Sequence, residues 1–394
     1  MQSYNQALIL LKDLVLLTWN AKLLWIPIIL VWILWKLWNY YIHSKYISNL
    51  NWSLLEIKLP REIYKGPRSM EMVLNMLHQT YDGLLWERLW RGFLRSWFSL
   101  EIVSIGGNIH FYIYAQKFFR NLVEAQIYAQ YPDVEIEEVD DYTKNAFKEG
   151  FGAEWNCAGT EFVLSAEDAY PIKTYIDYGL HELLTKEEQK TDPLTAILEF
   201  MGSIKQSEQV WMQILVRATK KKWKDEGKKL IAKLVKEKEI KDKEGKVTGG
   251  ISRMTSGEQD IIKAIERDVS KLGFDVGIRT IYFSPKDSFD AINFISLIGV
   301  MKQFNALNLN GFKPINTTGT AYLFRERRAN AKKAKIIDAY RQRSYFYMPY
   351  DRKSFVLNTE ELATIYHFPG RVAETPTLGR IEAKKGEAPT NLPV

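Results

Sequence analysis

A long apolar stretch near the amino terminus constrains this chain more than any other feature. Residues 23–42 read LLWIPIILVWILWKLWNYYI and are interrupted only by Lys36 and Asn39. A helix needs about 20 mostly apolar residues to cross the hydrocarbon core of a bilayer. Tryptophan and tyrosine gather toward the ends of the stretch, where a lipid-water interface favours them. The pattern predicts a transmembrane helix over about residues 22–42.

A secretory signal peptide and a buried core helix are the alternative interpretations of this stretch. A signal peptide has a shorter apolar region and a cleavage site of small residues, whereas WNYYIHSKY follows here. Residues 8–19 are also apolar but include Lys12 and Asp13, so we expect an interfacial helix rather than a second crossing. A slight excess of positive charge after the stretch favours a cytoplasmic location for the long carboxy-terminal part.

The composition of the remaining chain sets limits on its class. About 350 residues follow the apolar stretch, which is enough for two globular domains. The sequence has a single cysteine, Cys157, which excludes an internal disulfide framework and is consistent with a reducing compartment. We expect Cys157 to be a buried residue without a functional role. The five histidines are scattered without the spacing of metal ligands, so no metal site is predicted. The net charge of +7 suits a partner such as anionic lipid or nucleic acid.

Residues 51–150 show an informative order of apolar periods. A strand over residues 54–59 precedes a helix with an apolar face, two alternating strands follow around a turn at Gly106 and Gly107, and a helix over residues 117–131 leads to a strand over residues 134–139. The order β-α-β-β-α-β is that of a ferredoxin-like domain, an antiparallel sheet with two helices on one face.

A similar order can be traced over residues 151–324, with an insertion at 218–250. We expect a strand at residues 169–175, a helix capped by Asp192, a strand at 209–216, a helix with a capping box of Ser256 and Gln259, a strand at 274–283 and a last helix. The fold class predicted is therefore α+β, with an N-terminal transmembrane helix and two ferredoxin-like domains. Two unrelated α+β domains are the alternative.

Two segments are rich in basic residues. The Lys-rich insertion interleaves lysine with acids, which is typical of a solvated helix, although a nucleic-acid or lipid patch is the sharper hypothesis. A second run opens the carboxy-terminal segment 325–394, sits on a predicted helix and is followed by aromatic residues, as in single-strand grooves and also in helix-to-core transitions. The candidate contacts are Lys220, Lys221, Lys222, Lys224, Lys228, Lys229, Arg325, Arg327, Arg328, Lys332, Lys333, Lys335, Arg341 and Arg343.

Motifs that carry chemistry are absent from the sequence. No phosphate-binding loop GxxxxGK[ST] occurs, and GxSxG, HExxH and GxGxxG are missing as well. The acidic residues at 135–141 alternate between strand faces, which favours a solvated strand end over a cation site. We predict no catalytic, cofactor-binding or metal-binding residue, and thus no enzyme.

Four segments of the sequence together carry a resemblance to a known family. They are HFYIYAQKFFRNLVEAQIYAQYPDVEI, DPLTAILEFMGSIKQSEQVWMQIL, FVLNTEELATIYHFPG and, near the end, GEAPTNLP. Together they resemble the membrane-proximal region of type IV secretion coupling proteins, in forms typical of candidate-phyla bacteria. In that family the region precedes a cytoplasmic RecA-like motor that binds ATP and moves DNA or protein toward a channel. No part of this sequence corresponds to the motor, so the resemblance implies either a motor-less relative or a fragment.

These observations lead to two functional hypotheses. The first is a non-catalytic scaffold of a type IV secretion or DNA-transfer apparatus, a single-pass protein of the inner membrane with its bulk in the cytoplasm. It would assemble with copies of itself or with a separate motor ATPase, and it would need no cofactor. The second is a nucleic-acid-binding module that guides DNA to a membrane channel through the basic segments.

Overall fold

The computed structural model describes residues 12, 22–60, 65–145, 154–181, 191–237, 239–241, 247–249, 254–319, 325–370 and 380–381. Contacts group the chain into two compact units. Unit 1 comprises Met1–Leu50 and Asp82–Leu94, and unit 2 comprises Asn51–Tyr81 and Arg95–Val394. The sequence pattern placed Asp82–Leu94 within the domain over residues 51–150, whereas the contacts place it in unit 1.

Unit 1 contains one long helix, α1 (Lys22–Asn49). By length and composition, its Trp25–Asn49 portion could cross a membrane. The large apolar side chains described between residues 23 and 37 are exposed, and Ile42 is the first buried apolar residue among the described side chains of the helix. An apolar helix near the amino terminus is therefore confirmed, whereas the predicted interfacial helix at residues 8–19 lies outside the described residues except for Lys12.

Unit 2 is built from helices and strands of mixed order. Its helices are α2 (Pro67–Met76), α3 (Arg120–Gln130), α4 (Tyr142–Asn145), α5 (Thr195–Gly202), α6 (Trp223–Lys236), α7 (Ser256–Ser270), α8 (Ala291–Val300), α9 (Arg325–Arg341) and α10 (Thr359–Ile365). Its strands are β1 (Trp52–Pro60), β2 (Phe98–Ile105), β3 (Asn108–Gln116), β4 (Glu135–Val139), β5 (Trp155–Leu164), β6 (Gln209–Ala218), β7 (Glu239–Lys241), β8 (Val247–Gly249), β9 (Gly273–Pro285), β10 (Phe312–Ile315), β11 (Phe355–Asn358) and β12 (Arg380–Ile381).

Ten of these strands form one large sheet, while β7 and β8 pair separately as a hairpin. In its first half the order is β4-β1-β3-β2, and in its second half it is β10-β5-β9-β6. Each of these neighbouring pairs is antiparallel, and β2 joins β6 along eight residues to make the two halves continuous. The chain is thus a mixed α+β protein with an amino-terminal apolar helix and a large, mainly antiparallel sheet.

Helices cover both faces of this sheet. On the first face, α2, α3, α5, α8 and α10 contribute to the largest hydrophobic cluster, because their apolar residues recur at helical spacing. Met70, Val73 and Leu74 of α2 illustrate this pattern, and all three are buried as predicted. On the second face, Ile336, Ile337 and Tyr340 of α9 join a smaller cluster with Trp211 of β6.

Two sequence predictions for unit 2 were wrong. Residues 169–175 are not a strand, because their backbone donors bind side chains of α10: Ile172 N–H donates to Glu361 (2.9 Å) and Tyr175 N–H to Thr364 (3.0 Å). The first strand of this half is β5 instead. The capping box of α7 lies one residue earlier than predicted, where Thr255 and Glu258 exchange hydrogen bonds with each other's backbone N–H.

Other predicted elements are confirmed. The turn at Gly106 and Gly107 connects β2 to β3, and both glycines have positive φ, which a residue with a side chain adopts at a cost. The predicted cap of α5 is an exception: its N-cap is Leu194, and Asp192 accepts from Leu194 N–H (2.8 Å) in the turn before the helix while its other oxygen lies 3.0 Å from His367. Cys157 is free and buried in β5, where burial raises the pKa of its thiol to about 12.

Candidate functional site: a basic helix over a buried polar row

The helix α9 lies on the second face of the sheet with half of its length free of the core. Its buried residues, Ile336, Ile337, Ala339 and Tyr340, all belong to its last two turns. Before Ile336 the sequence RERRANAKKAK offers no large apolar side chain, and most of these residues are exposed. The composition of α9 therefore attaches its carboxy-terminal end to the sheet and leaves its amino-terminal turns to solvent.

Four basic residues of α9 form a stripe along one side of the helix. Arg325, Arg328, Lys332 and Lys335 are spaced at i, i+3, i+7 and i+10, which places them on a common face. At 1.5 Å of rise for each residue the stripe is about 15 Å long. We call these residues the α9 stripe, and all four are exposed. A stripe of this length could contact several phosphates of a nucleic-acid strand.

Local contacts hold the carboxy-terminal part of this basic surface in place. The Lys332 ammonium group donates to the carbonyl oxygen of Thr317 (3.1 Å), and the half-buried Lys333 donates to Asn156 (2.6 Å). Lys335 lies 5.9 Å from the ring centroid of Tyr350. The positions of these three cations are consequently set by unit 2 itself, while Arg327 and Arg341 are exposed on other sides of α9.

Beneath the end of α9, polar side chains cross the sheet as a row. Glu161, Arg279, Gln213 and Glu101 come from β5, β9, β6 and β2, and the strand register places each directly opposite the next. All four are buried. Directly opposed residues interact across antiparallel strands, so this register makes the row continuous. We call these four residues the polar row.

Arg343 closes the row from above. It follows α9, adopts a positive φ of 48°, and is 1 % exposed. Its guanidinium group donates to Glu101 (3.1 Å) and to Asp141 (2.5 Å) and lies 4.3 Å from the ring centroid of Tyr114. Arg343 was predicted as a surface contact for nucleic acid, but it is a buried partner of the sheet and is removed from that set.

The electrostatics of the row follow from these pairings. Burial by itself lowers the pKa of the Arg343 guanidinium, but Glu101 and Asp141 outweigh it and the pKa is raised well above its ordinary value. At the other end of the row burial prevails, so that the pKa of Arg279 is lowered even though Glu161 lies 3.5 Å away. Arg279 also donates to Gln213 (3.2 Å) and to the carbonyl oxygen of Ser344 (2.9 Å).

The Lys-rich insertion occupies a different place. Lys224, Lys228 and Lys229 are exposed on α6, which packs through Trp223 and Leu230 against α7. Lys220, Lys221 and Lys222 precede the helix, and Lys221 donates to the carbonyl oxygen of Ser354 (2.9 Å). The helices that carry the two basic segments, α9 and α6, thus pack in separate hydrophobic clusters. Exposed acids at Asp225 and Glu226 interrupt the positive surface of α6, as expected of a solvated helix.

A second buried polar cluster surrounds the start of α10. Asn358 caps this helix: it accepts from Glu361 N–H (2.9 Å), and its amide donates to Asp268 of α7 (2.6 Å). Burial raises the pKa of Asp268 well above its ordinary value, and nearby Glu361 raises it further. Burial likewise raises the pKa of Glu361, to about 8. The two carboxyl groups therefore retain a proton at pH values where an exposed pair would have none.

This retained proton predicts a pH-dependent stability. The pKa of Glu361 is higher in the folded state than in the unfolded state. Its contribution to stability is therefore complete below about pH 4.3, the ordinary pKa, and is lost as the pH rises toward 8. In that window the slope is about 1.4 kcal/mol for each pH unit. We expect Asp268→Asn to reduce the slope measured by urea unfolding without abolishing it, because it removes the raised titration of Asp268 and leaves Glu361 buried. Asp260→Asn, on an exposed position of α7, is the control and should keep the wild-type slope. Equal slopes for all three proteins would contradict this assignment.

Comparison with known families identifies the chain at the level of a family. Residues 48–380 match the family described as Domain of unknown function (DUF8128). The chain belongs to the DUF8128 family. No curated protein matches the sequence. The DUF8128 match begins near the end of α1 and includes α9, the polar row and Asp82–Leu94. Among the residues described in this DUF8128 protein, no group of three or more His, Cys, Asp or Glu side chains could hold a metal ion.

Sequence analysis did not find the polar row of the DUF8128 domain. One signal was present, because each of the four strands carries a charged or amide residue within an otherwise apolar or small-residue run. Such a residue in a buried strand must find a partner. Its partners come from strands far apart in the sequence, so the pairing depends on the register of the folded sheet.

Proposed function

We propose that this protein is a membrane-anchored, non-catalytic scaffold of an apparatus like those of type IV secretion or DNA transfer. The exposure of α1 is the observation that carries the proposal. Its described apolar side chains between residues 23 and 37 are exposed, and such a surface is unfavourable in water. A bilayer would satisfy this surface. The protein would lie in the inner membrane as a single-pass protein, with unit 2 in the cytoplasm.

The arrangement of the sheet supports a body made of two ferredoxin-like domains. In each half the strands follow the order fourth-first-third-second, and helices connect the first strand to the second and the third to the fourth. That is the split β-α-β arrangement twice over, with α6, the β7–β8 hairpin and α7 inserted in the second copy. Joining the copies through β2 and β6 would give a broad, rigid platform on which partners could assemble.

An exposed apolar face on α8 supports the assembly role. Ile292 is 67 % exposed and Ile295 is 65 % exposed, although the helix also packs on the sheet through Leu297. Neighbouring apolar side chains that remain in solvent are typical of contact surfaces between proteins. The partner in this proposal is a further copy of the chain or a separate motor ATPase.

A nucleic-acid-binding module is the second candidate function. The α9 stripe favours it, because four cations on one side of an exposed helix can neutralise phosphates without any sequence preference. In this case the protein would guide DNA to a membrane channel. Tyr350 lies close to Lys335 and could add stacking, as single-strand binding proteins do.

One experiment on the full-length chain in detergent tests both candidates. The scaffold predicts a native mass of several chains, reduced toward one chain by Ile292→Asp with Ile295→Asp. The DNA module predicts binding of labelled single- or double-stranded DNA that falls with salt and weakens at least tenfold when the α9 stripe is changed to glutamine. Lys222, Lys224, Lys228 and Lys229, four exposed lysines changed to glutamine, are the charge-matched control. A monomer that gains no partner when a purified candidate motor is added would contradict the scaffold, and no DNA binding at low salt would contradict the module.

A further inference from the structure

A short segment of unit 1 presents a surface that none of the functions above uses. Residues 82–94 read DGLLWERLWRGFL and contain a π-helical turn at Glu87–Arg91. Leu85 is 72 % exposed and Trp90 is 67 % exposed, and Leu84 and Trp86 are exposed as well. Arg88 and Arg91 stand among them, and the Arg91 guanidinium lies 4.6 Å from the ring centroid of Trp86. The segment thus combines a dense apolar surface with two cations.

This segment packs along the second half of α1. The indole N–H of Trp38 donates to the carbonyl oxygen of Leu89 (3.0 Å), and the Trp38 and Trp90 rings meet edge to face at 5.7 Å. Farther along α1, the ring centroids of Tyr46 and Phe93 are 5.5 Å apart. A Cβ atom added to Gly92 would clash with the backbone of Ile42, so a glycine is what permits this close approach. The contacts fix the segment against the second half of the helix.

The position of these contacts along α1 defines their depth in a bilayer. The apolar stretch starts at Leu23, and Ile42 lies 19 residues later, which corresponds to about 28 Å of helix. The hydrocarbon core is about 30 Å thick. A membrane that holds Leu23 near one boundary therefore has its other boundary near Ile42, at the level where the segment packs. Exposed tryptophans and arginines at that level are the residues that the headgroup layer favours.

We infer that residues 82–94 are a second membrane contact, an interfacial element that inserts Leu84, Leu85 and Trp86 into the lipid boundary beside α1. Arg91 faces the phosphate groups of the headgroups, which attract cations most strongly when the lipid is anionic, and Arg88 lies near it in an ion pair with Asp82 (3.6 Å). The bilayer is the occupant that continuity with α1 favours, because the apolar surface of the helix and that of the segment belong to one unit. Two contacts restrict the tilt of α1 more than one helix alone would. This inference rests on the membrane-anchoring part of the proposed function.

Depth-dependent fluorescence quenching tests the inference on the full chain. Single cysteines are introduced at Leu85, at Leu30 of α1 and at Ile292 of α8, and each is labelled with an environment-sensitive dye. Cys157 is buried with a raised thiol pKa, so it should take no label. The proteins are placed in vesicles of phosphatidylcholine and phosphatidylglycerol containing lipids brominated either near the headgroup or near the chain ends.

The three labels have different expected results. The label at Leu85 should be quenched at least twofold more by bromine near the headgroup than near the chain ends, and the label at Leu30 should show the reverse. The label at Ile292, whose exposure equals that of Trp90, should be quenched by neither. A deep Leu30 label with an unquenched Leu85 label would overturn the interfacial contact and leave the anchor intact. An unquenched Leu30 label would instead overturn the anchor, and quenching at Ile292 equal to that at Leu85 would show that the contact is not specific to this segment.

Discussion

Replacing Arg343 by methionine should reduce the free energy of unfolding by about 3–5 kcal/mol, because the change leaves the buried Glu101 carboxylate without its cation. Methionine fills similar space, so the loss would come mainly from the uncompensated charge and from the ring contact with Tyr114. Asp141, which is partly exposed, would lose its partner at a smaller cost. Chemical unfolding followed by far-UV circular dichroism measures the difference.

Two further variants separate the charge from the packing. Arg341→Met changes an exposed arginine two residues earlier and should alter stability by less than about 0.5 kcal/mol. Glu101→Gln with Arg343→Met removes both buried charges; the amide oxygen can still accept from the hydroxyl of Ser99, and the amide NH2 can donate to the hydroxyl oxygen of Tyr142. The double variant should therefore be more stable than Arg343→Met alone. If Arg343→Met unfolds at the same denaturant concentration as the wild type, Arg343 and Glu101 are not a buried charge pair of the kind described.

Elements with a local pattern could be predicted from the sequence. The helix α2 and the turn at Gly106 depend on residues within one or two turns of each other, and each was found where the local pattern placed it. The first apolar helix was equally clear, because length and composition alone decide it. The same local method failed for β5, whose sequence WNCAGTEFVL shows neither clean alternation nor a continuous apolar run.

Features that depend on distant parts of the chain were not predictable in this way. Arg343 appeared to continue a basic run, but the fold buries it against Glu101, which is 242 positions earlier in the sequence. Residues 169–175 have strand-like composition, yet their hydrogen bonds go to α10, which follows much later. Residues 82–94 contain leucines, tryptophans and arginines at helical spacing, and that pattern was a usable signal. The place of the segment beside α1 depends on contacts between distant residues, such as Trp38 with Trp90.

The second large effect concerns the attachment of the protein to membranes. Aspartate at the centre of a transmembrane helix costs about 2.5–3.5 kcal/mol on insertion scales, so Leu30→Asp with Leu34→Asp should prevent α1 from spanning a bilayer. Both leucines are exposed in unit 1 and contribute to its bare apolar surface. The matched control is Ile292→Asp with Ile295→Asp, which also places two acids on an exposed apolar helix face but lies in unit 2.

Carbonate extraction of membranes from cells that express the full chain, followed by the intact mass of the retained protein, measures whether α1 remains on the protein and anchors it in the bilayer. We expect the wild type and the Ile292/Ile295 control to remain in the membrane pellet with α1 intact. The fraction of the Leu30/Leu34 variant found in the supernatant should be at least tenfold larger than that of the wild type. Release of the wild type by carbonate would contradict a membrane-anchored scaffold. A mass that lacks α1 would contradict it as well, because the helix would then act as a cleaved signal sequence.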